Sequence, residues 1–122
     1  MIRAVHTVLY AEDAEAARAF FRDVLGFPSV DGGQGWLIFA LPPSELGIHP
    51  GESDGGSSEL YLMCSDVEQT VRELKGKGVE FVSSVADEGW GLVTRLVVPG
   101  FGEVGLYQPR HASPLAEFAD SA

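Results

Sequence analysis

His6 and Glu59 stand at the same place in two copies of one pattern. In HTVLYAEDAEAARAFFRDVLG, residues 6–26, His6 opens a strand-like run, Asp13 follows seven residues later and Gly26 closes the segment. In ELYLMCSDVEQTVRELKGKG, residues 59–78, Glu59, Asp66 and Gly78 take those three places. Imidazole and carboxylate groups exchange protons and donate electron pairs, so a repeat that brings one of each to equivalent positions is a candidate for acid–base work or for ligand binding. The copies also match at their far ends. ELGIHP, residues 45–50, aligns with EVGLYQP, residues 103–109, setting Glu45 against Glu103, Gly47 against Gly105 and His49 against Tyr107.

The elements that must carry these groups follow from periodicity. Val5–Tyr10 alternates as a strand, and Asp13 is a good N-cap with Glu15 adding charge where the helix dipole favours it. Ala17, Phe20, Phe21, Val24 and Leu25 then form an apolar stripe at helical spacing, stopped by Gly26. Three short strands are expected around Ser29–Val30, Gly35–Ala40 and Glu45–His49, separated by glycine and proline turns. GESDGGSS, residues 51–58, reads as a flexible linker. The second copy repeats the order, with a strand at Leu60–Cys64 and a helix capped by Asp66 in a capping-box-like arrangement with Gln69. Strands at Glu80–Val85, Gly91–Val97 and Glu103–Gln108 complete it. The expected organisation is one α+β domain over residues 1–110. Its two tandem βαβββ units cover residues 4–50 and 59–109, and a surface tail spans residues 111–122, with His111 exposed in it.

Alternation assigns faces. Leu46 and Ile48, like Val104 and Leu106, should pack beneath a helix, and so should Leu60, Leu62 and Cys64. The opposite face then collects His6, Val8 and Tyr10, Glu45, Gly47 and His49, Glu59, Tyr61 and Met63, and Glu103, Gly105 and Tyr107. A sheet surface facing solvent is more uniformly polar than this; a concave binding face has this mixture. Gly47 and Gly105 each cost a strand roughly 0.5–1 kcal/mol relative to alanine, so they either admit something closely or allow a twist. Trp36 and Trp90 each follow a glycine turn at the start of a strand and suit either a cavity wall or the interface between units, with packing preferred.

Composition narrows the function classes. Eight Lys and Arg against eighteen Asp and Glu give a net charge of −10, which disfavours nucleic acid and anionic membrane surfaces. The longest apolar run, Trp36–Leu41, is too short to span a bilayer, and no signal peptide is visible after Met1. One cysteine, Cys64, in an alternating strand, fits a small core residue in a reducing cytoplasm.

HTVLYAEDAEAARAFFRDVLGF, LYLMCSDVEQTVRELKGKGVEFV and VPGFGEVGLYQP together resemble the vicinal oxygen chelate superfamily of glyoxalase I, bleomycin-resistance proteins and extradiol dioxygenases, over nearly all of residues 4–110. The resemblance implies a curved mixed sheet folded into a cup, a small-molecule ligand and a homodimer in which two chains complete each cavity. In metal-dependent members, first-strand residues and often last-strand residues hold a divalent metal. Carried across, the first-strand positions are His6 and Glu59, both able to ligate zinc, nickel, manganese or iron. The last-strand positions fall on Gly47 and Gly105, which have no side chain to offer. His49 and Glu103 are two residues away on the same strand faces, a step of roughly 6–7 Å, and can complete the set only by a register shift or a long reach.

Two functions follow from different classes. One is a lyase or oxygenase with His6 and Glu59, helped by His49 or Glu103, as metal ligands or acid–base groups. The other is a non-catalytic protein, resembling the bleomycin-resistance members, that sequesters a cationic small molecule in an acidic, aromatic-lined cleft with no metal of its own. The imidazole at His6 ranks the first narrowly ahead.

Overall fold

A computed structural model describes residue 4 and residues 6–50 and 58–122; all but the last residue of the expected linker lies outside that set. Helix α1, Ala14–Ala19, begins where expected, its first turn capped by the Asp13 carboxylate accepting from the Ala16 N–H at 3.0 Å. It continues as a π-type turn over Phe20–Val24 that buries both phenylalanines, and Gly26, at φ +71°, ends it. A hairpin of β1, Ser29–Asp31, and β2, Leu37–Phe39, follows. The Asp31 carboxylate ties the intervening turn by accepting from the Gly33 and Gly35 N–H groups.

The second copy builds a four-stranded sheet. Its members are β3, Tyr61–Met63; β4, Ala86–Asp87; β5, Gly91–Val98; and β6, Gly102–Pro109, in the order β3-β6-β5-β4. β3 runs parallel to β6 because α2, Val67–Gly76, crosses between them, while β5 and β6 form an antiparallel hairpin. Asp66 caps α2 by accepting from the Gln69 N–H at 3.1 Å. Register places Leu62, Val104, Leu106, Leu96 and Val98 on one face. Those residues pack into a core with Val67, Leu74 and Val79, and with Ala17, Phe20 and Phe21 of the first copy. Leu60 and Cys64 pack against the same core, as alternation required. The fold is therefore α+β, with two helices, a hairpin and a curved four-stranded mixed sheet around a core drawn from both copies. Among the described residues no helix is long and apolar enough to cross a membrane.

The first copy departs from its expected strands. Residues 6–10 and 45–49 belong to no ladder among the described residues. Leu46 and Ile48, expected beneath a helix, are each 86% exposed. Alternation selects the face a side chain would take but does not supply the neighbouring strand that holds it there. In the second copy β6 is flanked by β3 and β5, whereas residues 45–49 have no such flank. Residues 80–85 likewise give only one bridge, Phe81 to Leu96, and regular pairing begins at β4.

Candidate functional site

The face of the sheet away from the core carries Tyr61 and Met63 from β3, Val93 and Arg95 from β5, and Glu103, Gly105 and Tyr107 from β6. Tyr61, Tyr107 and Trp90, just ahead of β5, meet as three mutually edge-on rings. Centroids are 5.7 Å apart for Tyr61–Tyr107, 6.0 Å for Tyr61–Trp90 and 5.2 Å for Trp90–Tyr107. Such pairs are bound by ring edges against π faces as well as by burial. Trp90 remains 42% exposed and presents the open side of the cluster.

Gly105 makes the cluster possible. It pairs with Tyr61 across β3–β6, and a Cβ at residue 105 would enter the space of the Tyr61 ring. Gly91 does the same for Tyr107, whose Cδ2 lies 2.9 Å from where a Cβ would be. The close approach that the strand glycine admits is thus an aromatic ring of the same chain.

Charge surrounds the rings. The Arg95 guanidinium lies over Tyr61, 5.8 Å from its centroid, and donates to Glu103 Oε1 at 3.0 Å. Glu45 approaches the other side, accepting from Ser113 Oγ at 2.6 Å, with its second oxygen 3.8 Å from His111 Nε2. His111 Nε2 also lies 3.0 Å from the Tyr107 hydroxyl. Burial and then the Glu45 carboxylate push Tyr107 above the ordinary tyrosine range. Burial and then Glu59 do the same to Tyr61, with Arg95 pulling the other way. Burial raises the Cys64 thiol too, which suits a packed side chain better than a nucleophile.

These shifts give a pH prediction. A tyrosine whose folded pKa exceeds its unfolded value of 10.0 stabilises the fold below that value, and the contribution is lost as pH rises through the folded pKa. Ultraviolet titration of tyrosinate should therefore show two phenols ionising late, with stability declining over the same alkaline interval, and Tyr107→Phe should remove one of them. Two late phenols persisting in that variant would exclude the assignment.

Of the residues expected at the site, Tyr61, Gly105 and Tyr107 come together, with Met63 beside them on β3. Tyr10 and Gly47 are exposed, as are His6, His49 and Glu59. Glu103 is exposed as well and engaged by Arg95. Among the described residues of the chain, no three His, Cys, Asp or Glu side chains gather as metal ligands. The last-strand position that would supply a carboxylate is Gly105, and the Tyr61 ring covers it. Among the described residues of one chain, these donors therefore do not assemble into a metal site. Three participants were not read from the sequence as site residues. From sequence, Trp90 suits packing better than a cavity wall, His111 falls in a surface tail, and Arg95 carries no motif. Arg95 had a usable signal, since alternation from Gly91 places it on the Tyr107 face.

A sequence model of the Glyoxalase/Bleomycin resistance protein/Dioxygenase superfamily matches residues 3–98. The uncharacterized protein YetH of Bacillus subtilis (strain 168) is 31% identical over 103 residues, covering 75% of this chain and 86% of that protein. Among solved structures, TnmS3, an antibiotic binding protein from Streptomyces sp. CB03234, superposes with a TM-score of 0.61 at 23% identity, covering 89% of this chain and 99% of that one. A lactoylglutathione lyase from Agrobacterium tumefaciens gives 0.62 at 18% identity, covering 88% and 95%. At those identities the likeness to the two structures is one of fold.

Proposed function

Because the chain belongs to the glyoxalase/bleomycin resistance protein/dioxygenase superfamily, which houses both catalysts and binders, we propose from its site that it is a binder: a small-molecule-binding protein that takes up a planar, cationic aromatic compound without metal chemistry of its own. The observation that carries this reading is the Tyr61–Trp90–Tyr107 cluster with Glu45 and Glu59 beside it. Aromatic faces attract cations and stack on planar rings, and flanking carboxylates supply the counter-charge. The chain's net charge of −10 acts in the same direction at long range. The antibiotic-binding neighbour accords with such a role.

We place the ligand against the exposed side of Trp90, with two chains completing each cup. Dimerisation accords with the apolar side chains that the first copy leaves in solvent, Val8, Leu46 and Ile48 among them. A cytoplasmic location accords with a lone cysteine.

Proflavine, a planar cationic dye, tests the reading. Saturable binding is expected at low salt, weakened by added salt. Trp90→Ala should weaken it about tenfold, the equivalent of losing ~1.4 kcal/mol of stacking and cation–π attraction. Absence of saturable binding at low salt overturns the proposal. Metal content of purified protein separates the other reading. Stoichiometric metal lost on His6→Ala would instead support metal-assisted chemistry at His6 and Glu59.

A further inference from the structure

Tyr107 faces away from the core, yet it is only 6% exposed. Part of its cover is the chain's own C-terminal segment. The His111 ring lies against Tyr107, centroids 5.8 Å apart and tilted by 31°. His111 Nδ1 is 2.8 Å from the Ala112 carbonyl, which can only accept, so Nδ1 carries the proton, and in the neutral imidazole Nε2 accepts from the Tyr107 hydroxyl. Two residues on, Ser113 Oγ donates to Glu45, and its own lone pair accepts from the Leu115 N–H at 3.1 Å. A 3₁₀ turn, Ala116–Phe118, then buries Phe118.

This attachment is of one kind. Arg110 is the last residue whose backbone joins the sheet side, donating to the Trp90 carbonyl at 2.8 Å. Beyond it, among the described residues, the segment's backbone hydrogen bonds are all local, Phe118 to Leu115, Ala119 to Ala116 and Ser121 to Phe118. The segment is held by side chains: a nitrogen heterocycle on Tyr107, a hydroxyl on Glu45 and, at its end, the buried Phe118 ring. A segment held so can leave without dismantling a ladder.

We propose that the Tyr107 hydroxyl and the Glu45 carboxylate form a two-point recognition site for a nitrogen heterocycle that also bears a hydroxyl or amine donor, and that residues 111–118 fill this site as an internal occupant which the ligand displaces. The proposal rests on reading the aromatic face as the ligand site, and it adds the class of ligand and the way access is controlled. Tyr107 donates to an unprotonated ring nitrogen; Glu45 accepts from the second group. The Tyr107 ring supplies the stacking surface now taken by His111.

The test uses the full chain carrying Trp36→Phe, which leaves Trp90 as the only tryptophan. Adding His111→Ala, Ser113→Ala and Phe118→Ala frees the site, and the probe is a synthetic peptide of residues 110–118, followed by Trp90 emission. The peptide should bind the freed chain saturably and the chain with its own segment at least about tenfold more weakly, because a tethered occupant competes at high effective concentration. Peptides with alanine for His111 or for Ser113 should each lose about tenfold, as expected for one hydrogen bond lost to buried Tyr107 or to the half-buried Glu45 carboxylate. Equal affinity for both chains, or no binding to the freed chain, overturns the proposal. A parallel proflavine titration separates the two readings. If the peptide discriminates and the dye does not bind, the internal-occupant site stands and the cationic-ligand function falls. If the dye binds both chains alike and the peptide does not discriminate, the function stands and the occupant is merely structural.

Discussion

Leu96→Ala is expected to lower the stability of the fold by about 3–4 kcal/mol, within the range for a buried leucine truncated where its surroundings collapse only partly. Leu96 is 0% exposed, lies in β5 opposite Val104 and is among the largest fully enclosed side chains of the core. Both long strands and residues of both helices belong to the cluster around it, so the hole cannot be closed by moving one loop. Against a total of roughly 5–15 kcal/mol for an ordinary domain, the loss is large. Urea unfolding should show the midpoint falling with the slope unchanged. A change under about 1 kcal/mol would mean that this part of the core is not closely packed. Leu96 faces the helices, so proflavine binding per folded molecule should persist.

Gly105→Val should cost about 2–3 kcal/mol and disrupt binding as well. Valine is intrinsically better than glycine in a strand, so propensity alone predicts a gain. Sterics decide otherwise. The added atoms would meet Cγ and Cδ1 of Tyr61, near the root of the ring, and that ring is enclosed by Tyr107, Trp90 and Arg95. Tyr61 would have to swing out, separating the rings and freeing Arg95 from its π contact. Urea unfolding and proflavine titration read the two losses. Combining Gly105→Val with Tyr61→Ala should cost well under the sum of the two single losses, since the clash is then gone. If the double variant is as unstable as the sum of the singles, the ring is not what glycine accommodates.

The second copy was legible in its helix and in three of its four strands, while the strand expected at residues 80–85 gives one bridge and regular pairing starts at β4. Its strands alternate cleanly, its helix has a cap and a glycine stop, and each strand finds a neighbour close in sequence, apart from the one parallel crossover. In the first copy the helix and hairpin were legible for the same local reasons. Residues 6–10 and 45–49 carry the same alternation, but ladder formation depends on a partner that periodicity does not name. The site divided along a similar line. Tyr61, Gly105 and Tyr107 follow from register on one sheet. Glu45 and His111 meet only because a distant segment folds back, and no spacing between residues 45 and 111 announces it. Trp90 looked like packing because the sequence shows a large apolar side chain after a turn, not which neighbours leave part of it open.

The Asp13 N–H donates to the Gly100 carbonyl at 3.0 Å, joining the start of α1 to the turn between β5 and β6. The core that receives Ala17, Phe20 and Phe21 is likewise built mainly from residues beyond position 67. During synthesis, α1 is therefore among the first elements to emerge and among the last to find shelter. At ribosomal rates of roughly 5–20 residues per second, Phe21 meets Phe27 and Phe39 early, but it and Phe20 wait several seconds for the core residues from Val67 onward. A six-residue helix has little stability alone, so until then the segment has only part of its native cover. The packing of the N-terminal copy is therefore completed only when the C-terminal copy has been made.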